Sequence, residues 1–281
     1  METSIEQRTN IDLGLTLEGG WVLLPLLSAL GGAWAYNPGL WTEEPARLAI
    51  ALGLIVGGWQ SLWRALTRTD WAAPLGQWPG WSKAAPLPAW PYVQPGTPGE
   101  ALHRRLSYAK AWWQEAGRAS LAHPLKRAIS AIAVTLLLSA ALGRETVILS
   151  MAYLAWTELA VLWHEGRGEV GPIWGATALI AGPWFLGATL NDGNLAPAAL
   201  SSVALALMIG LYAHTNGWAV VGPLAGAAFL LWRGHADAVG WLLLLFLPGL
   251  ITLTVQPDRD AYRRTIGPWV IGIVALLAWV L

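Results

Sequence analysis

The sequence predicts an all-α, polytopic membrane protein with about nine transmembrane helices, and three observations predict it. Hydrophobic residues make up 55% of the 281 residues and charged residues only 12%, whereas an average soluble protein carries about 25% charged residues. Nine apolar stretches approach the length of about 20 residues that a helix needs to cross a bilayer. The basic residues between these stretches lie mainly on one side of the predicted membrane.

The apolar stretches are predicted as helices because backbone groups in lipid must form hydrogen bonds within their own segment. The alternating pattern of a transmembrane barrel is absent from the sequence. Links of only a few residues, such as 143–144 and 191–194, leave room for tight antiparallel turns. The nine stretches are 20–36, 46–66, 124–142, 145–164, 170–189, 195–213, 217–232, 236–254 and 264–281.

The distribution of basic residues predicts the orientation. The N-terminal segment and the even-numbered connections hold fourteen of the seventeen Lys and Arg residues, and the opposite side holds Arg47, Arg144 and Arg233. Because basic residues remain in the cytoplasm, we expect a cytoplasmic N-terminus and an outside C-terminus in the inner (cytoplasmic) membrane. Residues 1–19 are polar and acidic, which is not the pattern of a signal peptide.

Composition also excludes classes of function. The 17 basic and 17 acidic residues give a net charge of zero, which argues against nucleic acid as a partner. The chain has no cysteine, so disulfides, thiolate nucleophiles and cysteine-based metal sites are excluded. The expected partners are the lipid bilayer and other membrane-embedded molecules or subunits.

Residues 67–123 form the one long polar connection and are predicted to be cytoplasmic. Its first half is rich in Pro and Trp, which favours extended structure along the surface. The second half begins at Thr97 with a capping-box spacing and places Leu102, Leu106 and Trp113 on one helical face. This pattern predicts an amphipathic helix at the interface, either an anchor or a lid over a cavity, that ends before Pro124 opens the third span.

Two segments carry a resemblance to known families. Residues 16–21 (TLEGGW), followed by VLLPLLSALGGAWA, resemble the start of the YwiC-like membrane protein family, which has His where Leu17 or Glu18 stands here. Residues 163–169 (WHEGRGE) resemble the link between spans four and five of that family and of the UbiA superfamily of prenyltransferases. The resemblance implies a UbiA-like bundle of nine helices with its functional loops on the cytoplasmic side.

The same resemblance makes catalysis doubtful. UbiA enzymes bind a prenyl diphosphate through Mg²⁺ and two Asp-rich motifs, because a hard cation needs several carboxylate oxygens. After the second stretch this chain offers only Asp70, and residues 211–218 contain no carboxylate. We therefore expect no cofactor and no catalytic residue, and Mg²⁺ only if the chain is a divergent transferase.

These observations leave three functional hypotheses. The first is a non-catalytic protein that binds an isoprenoid, quinone, pigment or lipid, or an accessory subunit of a membrane complex. The second is a divergent prenyl- or pigment-tail transferase, and the third is a small-molecule transporter. Carboxylates that face a single cavity would favour the transferase, whereas scattered carboxylates would favour the first hypothesis.

Few residues are candidates for a ligand site. Glu158 lies within a predicted span, where a carboxylate is costly. It is either a polar ligand or proton acceptor in a central cavity, or a carboxylate that pairs with a neighbouring helix or reaches the interface. The charged turn from His164 resembles the family link. Arg104, Arg105, Arg118, Lys126 and Arg127 could together bind an anionic head group, or they could be the basic residues that set the orientation. No metal ligands are predicted. The candidate ligand-binding residues are Asp70, Arg104, Arg105, Glu158, His164, Glu165, Arg167 and His214.

Overall fold

The computed structural model describes residues 23–78, 81–88, 93–166, 170–190, 195–214, 217–255 and 259–281. Within these ranges the regular structure is helical and contains no β-strand, as the sequence predicts. The helices are α1 (Leu24–Tyr36), α2 (Leu40–Glu43), α3 (Pro45–Thr67), α4 (Ala72–Gly76), α5 (Pro98–Leu142), α6 (Arg144–Trp163), α7 (172–189), α8 (Leu195–Tyr212), α9 (Gly217–Trp232), α10 (Ala236–Val255) and α11 (Arg259–Val280).

Five of the described helices are long and apolar enough to cross a membrane: α3, α5, α6, α8 and α10 up to Thr254. Helix α9 and the Thr265–Val280 part of α11 are apolar but shorter. These lengths and compositions fit a multi-pass membrane protein. The segment 1–19 and the TLEGGW motif at 16–21 lie outside the described residues.

Helix α5 differs from the prediction because it does not begin at Pro124. It runs for 45 residues without a break, which corresponds to about 68 Å, or twice the hydrocarbon thickness of a bilayer. The prediction that Pro124 opens a separate helix is therefore wrong. Pro124 removes one backbone hydrogen bond, to the carbonyl of Ser120. Ser120 is exposed, so water can reach that carbonyl.

The N-terminal half of α5 carries the extended segment 81–88 along one face. Ser107 Oγ donates to the carbonyl of Ala85 at 2.5 Å, and Lys110 Nζ donates to the carbonyl of Pro86 at 2.7 Å. The predicted helix start at Thr97 is confirmed, since the Thr97 side chain accepts from the Glu100 backbone at 3.3 Å, and the Glu100 carboxylate accepts from the N–H of Gly96 at 2.7 Å. The apolar residues Leu102 and Leu106, which were predicted to line the interfacial face, are exposed.

Helices α1 and α7 form the closest contact in the bundle. Gly32 packs against the carbonyl of Trp184, and Gly187 packs against the carbonyl of Ala29, so that a Cβ atom at either glycine would collide with the opposing backbone. Ser28 Oγ donates to the carbonyl of Ile180 at 2.7 Å across this contact. Backbones approach this closely only where side chains are small.

The α1–α7 pair separates two apolar cores. One core is built with α2, α3 and α6, and includes Trp59 stacked on Tyr153 at 4.4 Å. The other is built with α8 to α11, where Tyr262 Oη donates to the carbonyl of Tyr212 at 2.6 Å. In the second core, Gly222 and Gly226 of α9 pack against Met208 of α8.

Candidate functional site

The segment after α3 and the loop after α6 meet at one end of the bundle. The backbone N–H of Trp71 donates to the carbonyl of Gly166 at 2.7 Å. These segments are 95 positions apart in the chain. The first follows the second apolar stretch, where UbiA enzymes have one Asp-rich motif, and the second begins with the WHEGRGE segment on which the resemblance rests. Asp70 is exposed, and its carboxylate accepts from the N–H of Ala73 at 3.0 Å. It therefore caps the first turn of α4.

His164 closes the loop between α6 and α7. Its Nδ1 lies 2.9 Å from the carbonyl of Ala160, and its Nε2 accepts from the N–H of Gly171 at 3.0 Å. A carbonyl requires a proton on Nδ1 and an N–H requires a bare Nε2, so this network selects one neutral tautomer. Because the backbone occupies both nitrogens, His164 positions the loop in this conformation and has no nitrogen left for a ligand.

Glu165 and Gly166 terminate α6 through a Schellman arrangement. The N–H of Gly166 donates to the carbonyl of Val161, and the N–H of Glu165 donates to the carbonyl of Leu162. Glu165 has a φ of 53°, in the left-handed region where glycine is usual. Gly166, with a φ of 66°, also allows the close approach of Trp71. Arg167, the remaining candidate in this loop, lies outside the described residues.

Glu158 points away from the interior. It is exposed on α6, whereas its neighbours Thr157 and Ala160 are fully buried against the bundle. Its carboxylate has no hydrogen bond or ion pair with another described residue. The structure thus places Glu158 on the outward surface and apart from Asp70, so the two carboxylates face different environments.

The other described candidates lie on α5 and after the end of α8. Arg104 and Arg105 are exposed on α5, about 11 Å along the helix axis from Trp112, which contacts Pro74 of α4. His214 follows the end of α8, where Gly210 packs against Ile173 at the start of α7. His214 therefore lies at the same end of the bundle as the His164 loop. Among the described residues, no three His, Asp or Glu side chains form a metal-binding group.

A groove between α1 and α11 was not predicted from the sequence. Its volume is about 260 Å³, and none of the described residues that line it is charged. Trp34 and Trp41 meet edge to face at its end, with ring centroids 6.3 Å apart. The lining residues are Leu27, Leu30, Gly31, Trp34, Trp41, Ile271, Val274, Ala275, Ala278 and Trp279.

The sequence does contain a signal for this groove. Small residues at Gly31, Ala275 and Ala278 leave space between the two helices, and large Trp side chains stand beside them at positions 34 and 279. Each helix alone shows only a mixture of small and aromatic residues, which is common in membrane helices. The groove becomes visible only when the tertiary structure brings α1, the first apolar stretch, against α11, the last one.

Of the eight candidate residues, the seven that the structure describes do not line the groove. Neither a scan of family models nor searches of curated proteins and solved structures find a match to this chain.

Proposed function

We propose that this chain is a non-catalytic membrane protein that binds the apolar chain of an isoprenoid, quinone, pigment or lipid in the α1–α11 groove. The observation that carries the proposal is the chemistry of the lining, which is made of aliphatic and Trp side chains. Burying a methylene group in such a groove contributes about 0.8 kcal/mol. The ligand class follows from the fact that the lining offers contact area and no charge.

The size of the groove indicates how much of a ligand it holds. Sites for complete small molecules usually measure roughly 300–1,000 Å³, whereas this groove measures about 260 Å³. It is also open on one side, because Trp34 and Trp279 are 54% and 75% exposed. The groove therefore suits a segment of a long chain whose remainder lies in the bilayer.

The proposal includes nine membrane crossings in a bundle like that of YwiC-like and UbiA proteins. It is supported by the helices that occupy each of the nine apolar stretches. In this topology α1 and α11 are the first and ninth crossings, so both run from the cytoplasm outward. Their C-terminal halves, which line the groove, would then lie in the outer half of the membrane, with Trp34 and Trp279 near its boundary.

The positions of the carboxylates support a binding role over catalysis. Asp70 caps α4, and Glu158 lies on the outward face of α6. A transferase site of the UbiA kind would need carboxylates converging on one diphosphate. The contact between Trp71 and Gly166 joins the segment after α3 to the loop after α6, but it is made by backbone atoms.

Photolabelling tests this proposal. The intact protein in lipid nanodiscs is exposed to a farnesol derivative carrying a diazirine and, in a second arm, to a phospholipid with the same group on its acyl chain. We expect labelled peptides from residues 27–41 and 271–279. Preferential labelling by the farnesol probe would indicate an isoprenoid ligand, and equal labelling would indicate a groove for lipid chains in general.

Ala275→Phe provides the matched variant, because Ala275 lines the groove and is exposed. Excluding two methylene groups would cost about 1.6 kcal/mol, so labelling of these peptides should fall about tenfold. Ala228→Phe, at an exposed alanine on α9, is the control and should leave labelling unchanged. Labelling that spreads over all exposed helices, or that persists in Ala275→Phe, would disprove the proposal.

A further inference from the structure

The outward surface of α6 is a continuous apolar stripe interrupted by one carboxylate. Exposed side chains recur along it at helical spacing, and the residues on the opposite side of α6 are buried against the bundle. Only 28% of the apolar window of α6 is buried, against 50% for α3 and α8. We name this stripe the α6 outer face: Met151, Ala152, Ala155, Glu158, Leu159 and Leu162.

Glu158 is out of place on this surface. Met151, Leu159 and Leu162 are each at least 50% exposed, so the carboxylate is surrounded by side chains that suit lipid. It lies five residues before the end of α6 at Trp163, about 7.5 Å along the axis. An ionisable side chain inside a membrane helix is costly, and such residues usually pair with another polar group. No described residue of this chain provides that group.

The shape beside Glu158 suits another helix. Ala155, one turn before the carboxylate, and Ala152, one turn before Ala155, are both exposed on this face. Small residues on a helix surface let a second backbone approach closely. A neighbouring helix seated over these alanines would place one of its side chains against Glu158.

The charge of the α6 outer face indicates which kind of helix it binds. The α6 outer face contains one acid and no basic residue. Two copies that met through this face would therefore bring two carboxylates together without a cation. A partner helix with a Lys, Arg or His at the matching depth would neutralise Glu158 and satisfy its oxygen atoms.

We propose that the α6 outer face binds a transmembrane helix of another membrane protein, whose cationic side chain pairs with Glu158. The bundle would thus have a protein-binding surface on α6 that is independent of the α1–α11 groove. The partner is defined by its chemistry: an apolar helix with one basic residue near the cytoplasmic end of its span.

Site-specific photocrosslinking in the native membrane tests the proposal. A photoreactive phenylalanine analogue is placed at Ala155 in the full-length chain, and at Ala133 of α5, an exposed alanine outside the face, as the control. We expect a discrete adduct from position 155 and none of the same mass from position 133. Sequencing of the crosslinked peptide should reveal a transmembrane helix that contains Lys, Arg or His.

Substitutions of Glu158 then test whether its negative charge binds the partner helix. Glu158→Gln should lower the yield of the adduct about tenfold, which corresponds to about 1.4 kcal/mol. Glu158→Lys should abolish the adduct, and replacing the partner's basic residue with Glu should restore it. Glu145→Gln, at an exposed acid at the other end of α6, should leave the yield unchanged.

Four outcomes would overturn the proposal. They are crosslinks to lipid alone, an adduct between two copies of this chain, an adduct that Glu158→Gln does not weaken, and a partner peptide without a basic residue. The unfolding midpoint of each variant in detergent verifies that the fold is intact. Because the groove takes no part in this experiment, its result is independent of lipid binding.

Discussion

The α1–α7 contact and the α6 outer face are both made of small and apolar residues, but they are organised in opposite ways. In the first, glycine removes side-chain volume so that two backbones touch, and the buried polar groups of Ser28 and Trp184 form hydrogen bonds. In the second, alanines leave a shallow surface that no described residue of this chain covers, and Glu158 is unpaired within the described structure. Lipid is as apolar as the side chains, so hydrophobicity alone does not bring helices together. Close packing and polar pairing decide which faces associate.

The largest expected effect is on the α1–α7 contact. Gly187→Ala places a methyl group against the carbonyl of Ala29, and neither backbone can move without displacing its helix. We expect a loss of about 3 kcal/mol in the free energy of unfolding, the upper range for overpacking. The measurement is the unfolding midpoint in mixed dodecyl maltoside and SDS.

Gly175→Ala is the control for this prediction, because it lies on the same helix and has open space where the methyl group would stand. It should unfold at the same midpoint as the unsubstituted protein or slightly above it. If both substitutions destabilise the protein equally, close packing does not cause the loss of stability. Glycine would then act through the flexibility of the helix.

An intermediate effect is expected at Ser201, which connects α1, α7 and α8. Its Oγ accepts from Trp184 Nε1 and from Tyr36 Oη, both at 3.0 Å. Ser201→Ala removes the acceptor of the buried indole N–H, and we expect a loss of about 2 kcal/mol. Ser202→Ala is the control, because within the described residues Ser202 Oγ bonds to the carbonyl of Ala198 in its own helix and to no other helix. If the two variants unfold at the same midpoint, the contacts between helices contribute little here.

The smallest effect is expected on the α6 outer face. Ala152→Leu adds volume at an exposed position, so the free energy of unfolding should change by less than about 0.5 kcal/mol. Ala160→Leu, at a fully buried position of the same helix, should be destabilising by about 1–3 kcal/mol. Unfolding midpoints of the two variants test the contrast. A large loss in Ala152→Leu would show that this face packs against the bundle.

Most of the helices could be predicted from local sequence, because hydrophobic stretches and caps are local features. The Thr97 cap followed from spacing alone. The continuation of α5 through Pro124 could not be predicted from spacing. Proline at the first position of a helix and proline within a helix look alike in sequence, and the outcome depends on whether the turn before it is helical.

The candidate site was less predictable, because it depends on which side of each helix meets a neighbour. His164 was expected to contribute to a ligand site, but both of its nitrogens bind the backbone of its own loop. Glu158 could face a cavity or the interface, and the packing of α6 turned it outward. The groove required two helices from opposite ends of the chain.

The sequence by itself determined that this protein is helical and apolar enough for a membrane, because backbone hydrogen bonding and hydrophobicity act within each segment. Only the tertiary structure decided which small residues become contacts between backbones, as at Gly32 and Gly187, and which remain a surface, as at Ala155. The physical reason is that helix association in an apolar medium depends on the fit between two surfaces. That fit is a property of pairs of helices, and no single stretch of sequence contains it.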